Sequence, residues 1–303
     1  MTKTLTYLLL MLLTILVGTY FFITLCSECG ATAQQEPEPP AQAVVPATPE
    51  PTSYPFAFGD GIFSVDENDN YNFKMSSYDI LMPLSEKVAG RIADVQAFME
   101  ANPNKALNIT GYYTAAEENP SAYPNLGLAR ANAVKNHLAS QGLDPAQMNT
   151  MGKLMDDMVD KDGTFLGPVA YGIAEATDAD AADIKALYER IKADPLVLYF
   201  DTAQASISLT AEQRQKVADI SRYLDKVPDA SVEVVGHTDN TGQAATNLRL
   251  GMNRANFAND YLMKNGIPAS KINTSSKGQT EPTASNATEE GRTKNRRTVV
   301  TLK

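Results

Sequence analysis

Two stretches of this chain are copies of one another, and the copying limits its possible folds more than any other feature. The segment ADVQAFMEANPNKALNITG, residues 93–111, lies over ADISRYLDKVPDASVEVVG, residues 218–236, without a gap and at an offset of 125 residues. Farther along, NLGLARAN (125–132) lies over RLGMNRAN (249–256) and QMNT (147–150) over KINT (271–274), both at an offset of 124. A repeat of that length is a duplicated domain rather than a short solenoid unit, so two copies of one fold are expected.

The second copy is the better marked. LVLYF (196–200) reads as a buried strand, and in LTAEQRQKVADISRYLDKV the residues Val217, Ile220, Tyr223 and Leu224 recur at helical spacing. Thr210 is a plausible N-cap, and Pro228 ends that helix. SVEVVG follows as a strand, NLRLGMNRANFANDYLMKNG as a helix closed by Gly266, and RRTVVTLK as a last strand. Strand and helix alternate, which gives an α/β class, an α+β sandwich with helices over a mixed sheet. The copies are expected at residues 57–175 and 195–303, joined by a helical linker over 176–194.

The N-terminus carries no charge from Thr4 to Cys26. Such a run makes roughly 33 Å of helix, enough to cross a bilayer. A cleaved signal peptide has a shorter apolar core and a small-residue cleavage site, whereas this run ends in Phe-Phe-Ile-Thr-Leu. Residues 1–30 are therefore expected to be a transmembrane anchor. Lys3 precedes the span and Glu28, Glu36 and Glu38 follow it, so the remainder should face outward.

Both cysteines, Cys26 and Cys29, stand at the outer edge of this span. Three readings are open: a juxtamembrane pair that cross-links chains, a redox motif lacking a folded scaffold, and lipid attachment at Cys26, against which the bulk of Leu25 argues. Residues 31–56 then hold seven of the 17 prolines. That composition favours extended polyproline II, a spacer reaching up to about 75 Å.

The net charge of −10 is uneven: residues 195–303 carry 14 Lys and Arg against 11 Asp and Glu, and the remainder 12 against 25. An acidic chain with one faintly basic part is not a nucleic-acid binder. Catalysis is not expected either. The copies have no cysteine, no G-x-S-x-G elbow and no H-E-x-x-H pair to serve His237. One histidine is a poor zinc site, GHTDNTG lacks the lysine of a phosphate-binding loop, and DENDN (66–70) and DDMVDKDG (156–163) lack EF-hand spacing. No cofactor and no metal are expected.

What remains is a pair of opposite charges. Asp239 follows a strand end and Arg254 lies fifteen residues on in the next helix, so a strand–loop–helix turn can bring both to one rim. Either they pair with each other, or together they hold a zwitterion, the carboxylate taking an ammonium and the guanidinium a carboxylate.

VVGHTDNTG, NLRLGMNRAN, NGIPASKINTSSKGQTEP and NATEEGRTKNRRTVVTL, in that order across residues 195–303, resemble the OmpA-like peptidoglycan-binding domain. The resemblance implies a βαβαββ fold in each of two tandem copies and non-covalent binding of the peptide stem of peptidoglycan, tethering a membrane to the cell wall; it places the chain in the cell envelope, anchored in an inner membrane with its domains in the periplasm, an outer membrane being the other choice. It assigns the ammonium of diaminopimelate to Asp239 and its carboxylate to Arg254. Thr238, Asn240, Asn247 and Leu248 are implied to line the rim, while Asn295, Arg296 and Arg297 secure the last strand. A scaffold whose domains contact other envelope proteins is the alternative. Two departures stand out: Ala203 where relatives often have asparagine, and Gln279 after Gly278. In the first copy Thr114 replaces Asp239 and Arg130 stands for Arg254, so that copy is expected to keep the fold and lose the ligand. Glu117 and Glu118 are candidate substitutes, although the longer loop and Pro120 alter the geometry.

Overall fold

The computed structural model describes residues 3–26 and 50–303. Cys29, and with it any reading of the cysteine pair, lies outside the described residues, as do residues 31–49 of the proline-rich segment. The chain forms two units, residues 1–49 and 50–303.

In the first unit, α1 (Lys3–Cys26) contains an apolar run, Leu5–Leu25, of mean hydropathy 2.4. It is long and apolar enough to cross a membrane. A helix satisfies its own backbone hydrogen bonds, the condition for any span through hydrocarbon.

Both repeats lie in the second unit. The first comprises β1 (Phe56–Gly59), β2 (Ser64–Glu67), β3 (Phe73–Lys74), α2 (Glu86–Ala101), β4 (Lys105–Tyr113), α3 (Leu126–Ser140), β5 (Met148–Leu154), β6 (Thr164–Phe165) and β7 (Val169–Glu175). After α4 (Asp178–Ala193) the second follows, with β8 (Leu196–Tyr199), α5 (Ala211–Lys226), β9 (Val232–His237), α6 (Ala244–Lys264), β10 (Ile272–Gly278), α7 (Glu289–Asn295) and β11 (Arg297–Leu302). The mixed α/β fold is thus present twice in tandem.

The sheets share one plan. In the first, ordered β5-β4-β7, β4 runs parallel to β5 and antiparallel to β7. In the second, ordered β10-β9-β11-β8, β9 runs parallel to β10 and antiparallel to β11. Parallel neighbours need a crossover, and α3 and α6 supply it. The repeats differ at one edge. β8 pairs with β11 along four residues, whereas β3 is two residues long and pairs with β6 instead. The hairpin β1–β2 is an addition of the first repeat.

Capping follows the sequence. Thr210 closes a full capping box with Gln213 at the start of α5, and Gly266, at φ 89°, turns the chain out of α6. The face of α5 carrying Val217, Ile220 and Leu224 packs on Leu198, Val232, Val234 and Val300. Leu187 and Ile191 of α4 join this core. Helix and strand meet backbone to backbone at paired glycines. A Cβ on Gly236 would lie 1.8 Å from the Gly251 carbonyl oxygen, and one on Gly111 would lie 2.0 Å from that of Gly127. Only glycine permits such an approach.

The repeats dock through the loop that precedes α3. Ala122 N donates to Asn265 Oδ1 at 2.9 Å and Tyr123 OH donates to the Asn265 carbonyl at 2.6 Å. Arg214 caps the carbonyls of Asn119 and Ser121, and the buried Lys135 ammonium pairs with Asp225.

Candidate functional site

Arg254 is fully buried. Helix α6 directs it toward the end of β8, where the chain turns back through 201–204. Its Nε donates to the Gln204 carbonyl at 2.8 Å, Nη2 to that of Asp201 at 3.1 Å and Nη1 to that of His237 at 3.0 Å. The guanidinium also lies 5.1 Å from the centre of the Phe200 ring, within cation–π range. These contacts engage three of five N–H donors. No acidic side chain among the described residues forms an ion pair with it. Burial pushes its pKa down to about 10, against the pull of Asp239, so it stays charged at neutral pH.

Asp239 does not pair with Arg254. Its Oδ2 accepts from Arg296 Nη1 at 3.0 Å and its Oδ1 from the Thr241 backbone N–H at 2.9 Å. Burial pushes the carboxyl pKa up, but these two donors outweigh it and hold Asp239 below the usual carboxylate range. Of the two open readings, direct pairing is therefore excluded by the geometry.

The loop around Asp239 is braced from below. Asn247 Nδ2 donates to the carbonyls of Asp239 (3.3 Å) and Thr241 (3.1 Å) and to Gln279 Oε1 (2.6 Å), so Gln279 adds a brace of its own. Thr238 N donates to the Gly278 carbonyl at 2.9 Å, and its hydroxyl donates to the Asp239 carbonyl at 2.8 Å. Asn240 and Leu248 are exposed. Ala203 lies in the left-handed region at φ 62°, which explains why asparagine suits that position better.

Of the C-terminal residues, Asn295 binds Thr283 and Ala284 through their backbone N–H groups and fixes that loop. Arg296 does more than secure a strand, since it spans Phe200 O, Asp239, Glu289 and Thr293. Arg297 donates to the Glu281 carbonyl at 3.2 Å, and its other terminal nitrogen lies buried near His237 without a partner. Among the described residues no group of His, Cys, Asp or Glu is placed to hold a metal ion. In the acidic loop, Asp156 and Asp160 accept backbone N–H groups, as turn residues do.

The first repeat reproduces the arginine cage. Arg130 donates from Nε to the Ser77 carbonyl at 3.0 Å, from Nη1 to that of Tyr112 at 2.9 Å and from Nη2 to that of Lys74 at 3.3 Å, beside the Phe73 ring. Each partner has its repeat counterpart in Gln204, His237, Asp201 and Phe200. Here, however, a carboxylate completes the cage. Glu117 forms a two-pronged ion pair with Arg130, both side chains fully buried. It also accepts the backbone N–H groups of Ser76 and Thr114, each at 3.0 Å. The longer loop thus brings Glu117 onto Arg130 itself. An acidic residue three positions after Thr114 was the available signal for this pairing, and the Asp239–Arg296 pair had none in local spacing.

Comparison with known proteins agrees with this duplicated geometry. The model of the OmpA family matches residues 72–165 and 199–296. The peptidoglycan-binding protein ArfA of Mycobacterium tuberculosis is 37% identical over 121 residues, 40% of this chain and 36% of that protein. The probable lipoprotein YiaD of Escherichia coli is 35% identical over 103 residues, 34% of this chain and 46% of that protein. The chain therefore spans less than half the length of these curated relatives. The peptidoglycan-associated lipoprotein from Burkholderia pseudomallei aligns over 37% of this chain and 92% of its own, at 25% identity and a TM-score of 0.34. With both repeats matched by the same model, and each built around the same arginine cage, the chain belongs to the OmpA family.

Proposed function

We propose that the second repeat binds peptidoglycan non-covalently at the Asp239–Arg254 rim, and that the chain thereby tethers a membrane to the cell wall. One observation carries this reading: in the first repeat the same arginine cage holds a carboxylate. Through the repeat, the two Arg130 nitrogens, Ser76 N–H and Thr114 N–H that grip Glu117 correspond to Arg254, Ala203 N–H and Asp239 N–H. A carboxylate from outside would meet those donors in the second repeat. The local charge favours it, because the Arg254 and Arg296 guanidiniums face the single buried carboxylate of Asp239.

Asp239 is held ionised and retains lone pairs beyond those given to Arg296 and Thr241. A ligand with an ammonium beside its carboxylate satisfies both sides of the rim. The amino-acid end of diaminopimelate in a stem peptide has that arrangement, and the relative ArfA is a peptidoglycan-binding protein. The helix α1 supplies a segment fit to serve as the membrane anchor.

The test is cosedimentation of the full chain, purified in detergent, with isolated sacculi. Arg254→Ala and Asp239→Ala should each weaken binding by about 30-fold or more, the typical result of leaving one charge of a desolvated pair alone. A stem peptide carrying diaminopimelate should compete where the same peptide carrying lysine, whose side chain ends in an ammonium with no carboxylate beside it, does not. Unchanged cosedimentation of both variants would instead favour contacts with other envelope proteins.

A further inference from the structure

The Glu117–Arg130 pair has a larger meaning than a buried ion pair. We propose that the first repeat is a carboxylate-binding site that has taken one of its own side chains as ligand, and that this internal ligand fastens the loop by which the first repeat grips the second. The proposal concerns the first repeat alone and stands whether or not the second binds the wall.

The chemistry of the seat comes first. Four N–H groups converge on the Glu117 carboxylate: two from Arg130 and the backbone N–H groups of Ser76 and Thr114. Charge-assisted donors in a two-pronged array are the means by which proteins recognise a free carboxylate. Ser76 has a φ of 56°, a left-handed conformation that serine rarely adopts. Ala203, its counterpart, keeps the same conformation at φ 62°, and Arg254 keeps the same three carbonyl contacts without an acidic side chain. The seat is therefore a property of the repeat's backbone and arginine, and Glu117 is its occupant rather than its builder. A small carboxylate of the right size should be able to replace it.

The second half of the proposal follows the loop onward from Glu117. The Glu118 N–H donates to the Ser76 hydroxyl at 3.0 Å, so two successive residues pin the loop to the turn after β3. The next residues leave the first repeat. Asn119 and Ser121 offer carbonyls to Arg214, and Ala122 and Tyr123 bind Asn265. In the second repeat the corresponding loop is the one that carries Asp239. Duplication has thus given one loop two employments: a ligand rim in one copy, and in the other a strap held down at its root by an internal ligand.

The experiment is chemical rescue, on the full chain in detergent. Glu117→Ala should melt lower than wild type. Sodium formate should then raise its Tm by about 3 °C or more over sodium chloride at equal ionic strength, as a ligand bound only to the folded state must. Wild type and the double variant Glu117→Ala/Arg130→Ala should respond less, by about that margin, since the second repeat offers formate the same seat in all three proteins. Hydrogen exchange at the Ser76 and Thr114 amides should quicken in Glu117→Ala and slow again in formate. Equal formate responses in the single and double variants would overturn the proposal. Glu117→Gln, which keeps the shape without the charge, should lose stability and respond to formate no more than wild type does; a wild-type Tm for this variant would also overturn it.

Discussion

Asp239 gives its carboxylate to Arg296 at 3.0 Å, across 57 residues of sequence, and not to Arg254, fifteen residues away in the next helix. Arg254 in turn spends its nearer donors on backbone carbonyls. The rim therefore holds its two opposite charges apart, each oriented by a different part of the fold.

Arg296→Ala should then injure both stability and ligand binding. Removing one partner of a buried pair costs about 3–5 kcal/mol, because the other charge is left without compensation. Urea denaturation should show that loss, and sacculus cosedimentation should weaken as it does for Asp239→Ala. Arg292→Ala, whose side chain pairs with the exposed Glu289, is the control and should change stability by less than about 1 kcal/mol.

Stability should fall between about pH 6.5 and pH 4 through His237. Burial, with Arg297 and Lys277 adding repulsion and Glu281 partly opposing them, pushes its pKa down to about 4. The neutral ring is favoured in the folded state and the unfolded chain takes the proton first, so stability is complete above the ordinary value and declines as pH drops toward the folded one. The loss should be on the order of 2 kcal/mol. His237→Gln should flatten this part of the pH profile measured by denaturant midpoints. It should also leave cosedimentation intact, since the group that Arg254 uses is the His237 carbonyl.

Ala203→Asn should stabilise the protein. Alanine at φ 62° bears a conformational cost that asparagine largely escapes, and the gain should be about 0.5–1 kcal/mol. A thermal melt of the variant beside wild type checks it. A fall in Tm would show that the turn tolerates only a side chain as small as alanine.

Asp225→Ala should loosen the two repeats from each other. It leaves the Lys135 ammonium, 2% exposed, without its carboxylate, at a cost of about 3 kcal/mol. Wild type should unfold in one transition, and the variant should show separate transitions for the repeats by hydrogen exchange or calorimetry. A single unshifted transition would show that Tyr123 and Asn265 suffice to hold them.

The duplication was legible because both copies kept their apolar spacing and their glycines, and the alternation of strand and helix followed from it. Thr210, Gly266 and the face of α5 could be named because capping and helical periodicity are local properties. The residues expected at the rim do converge in part: Thr238, Asp239, Asn247 and Arg254 are buried around one loop, while Asn240 and Leu248 face outward. What could not be read was who pairs with whom. Arg296 reaches Asp239 only because β11 lies beside β9, and Glu117 reaches Arg130 only because one added residue folds the loop inward. Nor does spacing announce that the loop before α3 binds the other repeat, since Asn265 is distant in sequence and meets Tyr123 only after both domains have formed.

The close glycine approach of α6 to β9 has a consequence for kinetics. With the Gly251 carbonyl against Gly236, the helix cannot slide or tilt without parting from the strand backbone, and Arg254 is carried on that helix while Asp239 follows that strand. A ligand of the proposed rim would therefore meet donors already at their final spacing, with little ordering left to be done when it arrives. Encounter should proceed at an ordinary rate whichever stem peptide is offered, and discrimination among stems should be expressed in how long each one stays.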